Sequence, residues 1–324
     1  MRKVVICSII KNEHRYLEEW IKHNLSIGVD KIFLYEDEGS ESHSEITDKY
    51  ENVVIDSIDV IKEKKVRTNK QITLYNWFLN KYKGIFDYMI AIDPDEYINF
   101  EGFSNIHDFG DSFGDFQAIA LYYKWMSANN HVERPNGNIV DNYTEDVDHS
   151  ELWQFKTIVN LNSTIGEKVR FINSHCVKGI TTINTKGEEI STKRNNKEYE
   201  NSKTFVKAYI KHYVSKSWED WVERLVRGNI TRNYRNADTF FTFNPDMKKK
   251  QSELVDSLNE MEFPTIDVIS LFGTLRNTSV QKYLDEMNAP LPEGVSPYPE
   301  MNMILNIHVE EKLIKNQQNT SENE

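Results

Sequence analysis

Three carboxylates, Asp93, Asp95 and Glu96, follow directly on a short apolar run that ends at Ile92. Tyr88 to Ile92 is built of strand-compatible residues, and Pro94, which has no N–H to donate, fixes where a strand must stop. Asp93 and Asp95 then flank a rigid turn. Two carboxylates one residue apart repel each other, and a hard divalent cation between them, Mg²⁺ or Mn²⁺ shared with phosphate oxygens, relieves that repulsion. The plainer alternative is an Asx-turn that caps the next segment. The buried strand in front and the third acid behind favour the metal, with Asp93 and Asp95 as ligands. A further ligand must come from far along the chain. Of nine histidines, His175, at the end of an apolar stretch, and His212, just ahead of a helix, are the two candidates, and the choice between them stays open.

The elements that would position these groups read as an α/β sheet. Lys3 to Ile10 is a nearly continuous apolar run, as a buried parallel strand requires. Asn12 is placed to cap a helix in which Leu17, Trp20, Ile21 and Leu25 share a face, and Gly28 is placed to stop it. Lys31 to Tyr35 and Asn52 to Ile58 are the next strands. A second helix over Thr68 to Tyr82 carries Ile72, Tyr75, Leu79 and Tyr82 on one face. Strand, helix, strand, strand, helix, strand implies right-handed crossovers, with ligands gathered at the carboxyl ends of the strands. The polar clusters fall at that edge: Lys11-Asn12-Glu13, Glu36-Asp37, and Asp93 to Glu96. Neither a G-x-G-x-x-G nor a Walker pattern is present, so bound phosphates would be neutralised by metal and not by a glycine nest.

Composition narrows the function. A formal net charge of −12 argues against nucleic acid as the partner. No apolar run spans a bilayer, and the run before Lys11 and Glu13 is short for a signal peptide, which predicts a cytoplasmic protein. Cys7 and Cys176 are predicted to be ordinary buried thiols.

Beyond Glu101 the sequence predicts a loop with a helical turn to Phe116, then an aromatic strand over Gln117 to Met126. A polar stretch from Ser127 to Ser150 has the length of a lid or acceptor-binding wall. Leu152 to Leu161 and Lys168 to Val177 are predicted as strands, Thr181 to Ile190 as a hairpin, and Lys193 to Lys203 as an exposed or mobile loop. Ser217 and Asp220 form a capping box for a helix whose stripe is Trp218, Trp221, Val222 and Leu225. Arg224, Arg227, Arg232 and Arg235 are read equally as solvated charge or as a phosphate- or membrane-contacting face. Residues 1–235 are expected to form the catalytic domain and 236–324 a helical C-terminal region, with a disordered tail from about residue 315.

Several of these segments resemble a known group. Ile10-Lys-Asn-Glu-His-Arg-Tyr-Leu-Glu-Glu-Trp-Ile21 with His23, Gly28-Val29, Tyr35-Glu-Asp37 and Ser40 resembles the opening motif of the family-2-like and family-92-like glycosyltransferases of GT-A fold. Ile92-Asp-Pro-Asp-Glu-Tyr-Ile98 resembles their D-x-D-E-[FY] motif. His212-Tyr, Lys216-Ser217, Glu219, Arg224 and Arg227-Gly228 resemble their C-terminal H-Y-x-x-K-S-x-E and R-G signature. The chain departs from the pattern at Tyr122, Trp125-Met126-Ser127 and Asn129-Asn-His131, where relatives carry glycines before the proline that is Pro135 here.

The resemblance implies a GT-A, Rossmann-like nucleotide-sugar-binding sheet with a helical C-terminal extension. It implies a UDP-linked donor, UDP-galactose being one candidate, Mn²⁺ or Mg²⁺ as cofactor, and inverting transfer to a glycan or lipid-linked glycan in polysaccharide biosynthesis. Donor contacts are then expected from Lys11, Glu13, Asp37, Arg67, Gln71, Asp93 and Lys216. Asp146, Asp148 and Glu151 are unranked candidates for the base. Arg224 and Arg227 could touch a lipid pyrophosphate or the inner face of the membrane. A catalytically silent nucleotide-sugar or glycan binder and a metal-dependent nucleotidyltransferase are the alternatives, and the second gives no reason for the His212 to Gly228 signature.

Overall fold

The structure is a computed structural model that describes residues 2–61, 69–149, 152–190, 196–227, 237–250 and 254. The chain runs through β1 (Val4–Ile10), α1 (His14–Ser26), β2 (Lys31–Glu36), α2 (Ser44–Thr47), β3 (Val53–Ser57), α3 (Lys70–Tyr82), β4 (Tyr88–Ala91) and β5 (Glu96–Phe100). It continues with α4 (Ile106–Asp111), β6 (Ala118–Met126), α5 (Ile139–Asn142), β7 (Asp146–Val147), β8 (Phe155–Asn160), β9 (Arg170–Phe171), β10 (Val177–Lys178), β11 (Thr182–Ile183) and β12 (Glu189–Ile190). Then come α6 (Asn196–Asn201), β13 (Ala208–His212), α7 (Trp218–Arg227) and α8 (Ala237–Phe243). Among the described residues two compact units are formed, one from residues within 1–127 and 136–214, the other from residues within 128–135 and 215–254.

In the first unit the sheet runs in the order β12-β11-β6-β8-β4-β1-β2-β3. The strands β4, β1, β2 and β3 are mutually parallel, the α/β arrangement expected of a GT-A sheet, and β8 then inserts antiparallel between β4 and β6. Every residue of β1 and β4 is buried, which accounts for their unbroken apolar sequences. From β1 the chain steps outward through β2 and β3 in one direction and returns to β4 on the other side. The sheet therefore has its switch point between β1 and β4, where α/β sheets form a crevice at the carboxyl ends.

Several elements differ from the sequence reading, each for a local reason. Asn12 does not cap α1: it adopts φ +49°, and its side-chain oxygen accepts from the Glu41 N–H at 2.8 Å. Gly28 does end that helix, at φ +94°, with the His107 ring against the place a Cβ would occupy. α3 starts at an Asn69 cap and buries Gln71, Leu74, Tyr75, Phe78 and Leu79, a face rotated from the predicted one. Lys168 to Val177 is not one strand. It is β9 and β10 folded back on each other, because Asn173 accepts from the His175 and Cys176 N–H groups and forces a turn. The Asn-rich stretch read as a loop contains α6, anchored by Tyr199 in a buried cluster with Tyr122, Phe155 and Cys176. Both cysteines are buried and free, as expected.

The second unit is built on α7. Ser217 and Asp220 exchange the bonds of a capping box, with Asp220 N–H on the Ser217 hydroxyl at 3.1 Å and that hydroxyl on the Asp220 carboxylate at 2.7 Å. Trp218, Trp221 and Val222 pack with Phe240, Phe241 and Met247 in one buried cluster. Arg134 closes the polar side through Asp220 at 2.6 Å and Glu223 at 2.5 Å. The opposing pull on Asp220 is clear: burial disfavours its charge, but Lys216, the Ser217 hydroxyl and Arg134 outweigh burial and hold the carboxyl below its usual range. Among the described residues no helix is long and apolar enough to cross a membrane.

Candidate metal centre

β4 ends at Ala91 and β5 begins at Glu96, so the carboxylates sit at the corner between two strands and not at a chain reversal into loop. The corner is tied within itself: Glu96 N–H donates to the Asp93 carbonyl at 3.1 Å, and Asp93 N–H donates to Glu96 Oε2 at 2.9 Å. Pro94, between them, has no N–H to satisfy. β5 pairs antiparallel with β13, and its register sets His212 opposite Glu96. On its other side β13 lies parallel to β6, with His212 opposite Trp125.

That register converges three potential ligands. Ligand atoms of Asp95, Glu96 and His212 all lie within 4.8 Å of one another, each residue being buried. His212 Nε2 stands 3.6 Å from Asp95 Oδ1. Tyr123 and Trp125 confine the imidazole, with ring centroids 4.6 and 4.7 Å away. Two carboxylates suit a hard divalent cation, and the imidazole nitrogen tilts the choice from Mg²⁺ toward Mn²⁺, so the donor set fits the ion that the resemblance implies.

Glu96 is fully buried, and burial pushes its carboxyl up to about 8 against the opposing pull of Lys156. The Tyr123 hydroxyl donates to its Oε1 at 2.5 Å, and Lys156 Nζ stands 3.4 Å from its Oε2. Both Glu96 oxygens are thus held by protein groups.

Asp93 falls outside the group. Its carboxylate receives Gln71 Nε2 at 2.7 Å, the Tyr75 hydroxyl at 3.3 Å and Lys156 Nζ at 3.1 Å. Gln71 is therefore brought to the corner, through Asp93. His175 is also set apart: its Nδ1–H donates to the Phe155 carbonyl at 2.9 Å. Burial, then the Lys156 charge, push the imidazole down to about 3, so it stays neutral. Of the two histidines left open by the sequence, His212 is the one beside the carboxylates.

Lys11, Glu13 and Asp37 lie where expected, after β1 and β2 at the carboxyl edge, and Asp37 accepts from Lys70 Nζ at 3.0 Å. Asp146 and Asp148 are exposed, Asp146 lying opposite Met126 in the β6–β7 pair. Lys216 and Arg224 belong to the second unit, Lys216 with φ +54°. Arg67, Glu151, Gly228, Arg232, Arg235 and the tail from residue 315 lie outside the described residues, as does the Arg227 side chain.

Sequence reasoning missed Lys156, although a lone lysine in the apolar strand Phe155-Lys-Thr-Ile-Val-Asn160 was a usable signal. It also missed what the opening motif does. Trp20 Nε1–H donates to the Glu96 carbonyl at 2.9 Å, His23 Nε2–H donates to the Ile98 carbonyl at 2.9 Å, and the Glu19 carboxylate accepts the Ile139 N–H at 2.8 Å. Through Trp20 and His23, α1 thereby fixes β5, which begins at Glu96.

Residues 2–251 match the glycosyltransferase family 92 profile. The chain belongs to glycosyltransferase family 92. No curated protein matches it. Among solved structures this family 92 chain is similar to glucosyl-3-phosphoglycerate synthase from Mycobacterium tuberculosis in complex with Mn²⁺, UDP and phosphoglyceric acid, at 19% identity over 38% of this chain and 43% of that one, with a TM-score of 0.27. The same enzyme with Mn²⁺ and UDP-glucose gives 17% identity over 38% and 44%, with a TM-score of 0.28. The chain thus spans less than half the length of these structures.

Proposed function

We propose that the protein transfers a hexose from a UDP-linked donor to the hydroxyl of a glycan or lipid-linked glycan, with inversion and with a divalent ion held by Asp95 and His212. The observation that carries this reading is the β5–β13 register, which gathers Asp95, Glu96 and His212 beside the β1–β4 switch point. When bound, the ion supplies positive charge to the diphosphate as the leaving group's negative charge develops. The chain's own residues do the rest. Glu96 and Lys156 fix the charge around the corner, Asp93 with Gln71 and Tyr75 sets the turn, and Lys11, Glu13 and Asp37 border the crevice where the nucleoside would lie. Asp146 and Asp148, with Glu151, are the candidates to take the acceptor proton.

The test is incubation of the pure protein with a panel of nucleotide sugars and Mn²⁺, following nucleoside diphosphate release. Release from a UDP-sugar that stops in excess chelator, and falls at least ~100-fold in Asp95→Asn with an unchanged melting profile, is expected. Donor binding without release from any sugar in the presence of glycan acceptors would instead favour a silent binder.

A further inference from the structure

The β1–α1 turn, which borders the switch-point crevice, is clamped from the side by a histidine that no sequence motif marks. His43 is fully buried, just before α2. Its Nε2 accepts the Glu13 N–H at 2.9 Å. An amide N–H can only donate, so Nε2 carries a lone pair and the proton resides on Nδ1. Nδ1–H then donates to Glu36 Oε1 at 2.9 Å, and the same oxygen accepts the His43 backbone N–H at 2.7 Å. One tautomer of one neutral ring therefore links the end of β2 to the start of α1.

Parallel contacts run alongside. Asn12 N–H donates to the Ser40 hydroxyl at 3.2 Å, and His14 Nε2–H donates to the Ser42 carbonyl at 2.9 Å. The His14 ring stacks on His43 at 3.9 Å with an interplanar angle of 15°. The ionisable groups facing His43 are thus Glu36 from β2 and Glu13 and His14 from the turn and α1, while Thr47 of α2 contacts only its carbonyl, at 3.3 Å.

We propose that His43 is a positioning residue for the donor nucleoside: as a neutral ring it latches the Lys11-Asn12-Glu13 turn, and protonation at Nε2 releases the turn and weakens donor binding. The donor part rests on the glycosyltransferase reading above. A proton on Nε2 would set N–H against N–H across the present hydrogen bond, and the two must part. Burial and His14 work against protonation while Glu36 works for it, with burial the largest effect and the net shift downward. Release is therefore an event of mildly acid pH, below the ordinary histidine range.

Two readouts test this on the full chain. With metal saturating, the wild-type donor KM is expected to rise as pH is lowered from 7 to below the ordinary histidine value of about 6.5, with kcat changing less than about twofold. His43→Gln keeps an amide oxygen for the Glu13 N–H but cannot titrate, so its KM is expected to stay flat over that range. His43→Asn reaches only toward Glu36 and is expected to show the raised KM already at pH 7. If His43 variants fail to fold, Glu36→Gln serves instead: losing the carboxylate's charge moves the acid limb to lower pH. An acid limb of equal size in wild type and His43→Gln would overturn the proposal, as would an unmoved limb in Glu36→Gln. The second readout needs no donor: hydrogen-exchange protection of the Glu13 amide is expected to fall with acid in wild type and persist in His43→Gln. Equal loss in both would overturn the latch. The expected exchange pattern without diphosphate release from any nucleotide sugar would support the latch and overturn the glycosyltransferase reading.

Discussion

At the residue scale the corner is tied by a buried lysine that stands between a buried acid, Glu96, and a partly exposed one, Asp93. Lys156 Nζ lies 3.1 Å from Asp93 and 3.4 Å from Glu96, and the two carboxylates outweigh burial to hold its charge. Lys156→Met is expected to destabilise the metal-free protein in urea unfolding, by less than the roughly 3–5 kcal/mol of a fully stranded buried charge, because Glu96, at about 8, can take up a proton and Asp93 is partly exposed. Mn²⁺ should recover part of that loss, because it returns positive charge to the same acids. An unchanged unfolding midpoint would remove Lys156 from this role. Asp95 and His212 are both legible in the sequence as chemistry-bearing residues, whereas for Asp93 spacing shows how near two acids are and not which way they face. Only the fold reveals that Gln71, Tyr75 and Lys156 already converge on Asp93.

At the element scale the long apolar strands announced themselves and the short paired ones did not. β1 and β4 are buried throughout, so their composition alone marks them. β5 begins at Glu96 itself, where sequence reads a polar turn, and only its ladder with β13 makes it a strand. The same holds for α6, where Tyr199 is the buried anchor among the described side chains and by itself marks no period. α7 was legible because its signals are local: a capping box followed by an apolar stripe. That cap supplies a pH-dependent prediction. Asp220's folded pKa is lowered, so its contribution to stability is complete above the unfolded value of about 4 and is lost as pH falls through the lower folded value. Asp220→Asn is expected to destabilise the protein by about 1–3 kcal/mol at pH 7 in thermal unfolding. The gap between variant and wild type should narrow as pH falls from 7 to below the unfolded value of about 4. A gap that is the same at both pH values would show that the charge of Asp220 contributes nothing.

At the scale of the whole molecule, an acidic chain with a net charge of −12 concentrates further negative charge at one sheet corner, and it does so beside the switch point of its parallel strands. A structural sheet has no need of this. On the proposed reading Asp95, Glu96 and the distant His212, drawn together by strand register, hold a cation that in turn binds an anionic ligand. The central claim is that UDP binds through a divalent ion ligated by Asp95 and His212. Calorimetric titration of UDP into wild type and His212→Ala, each with Mn²⁺ and with excess chelator, tests it most directly. The account predicts Mn²⁺-dependent binding in wild type, lost in chelator and weakened about 10–100-fold in His212→Ala. UDP binding of equal strength in chelator, or a His212→Ala variant that binds UDP with Mn²⁺ as wild type does, would contradict it.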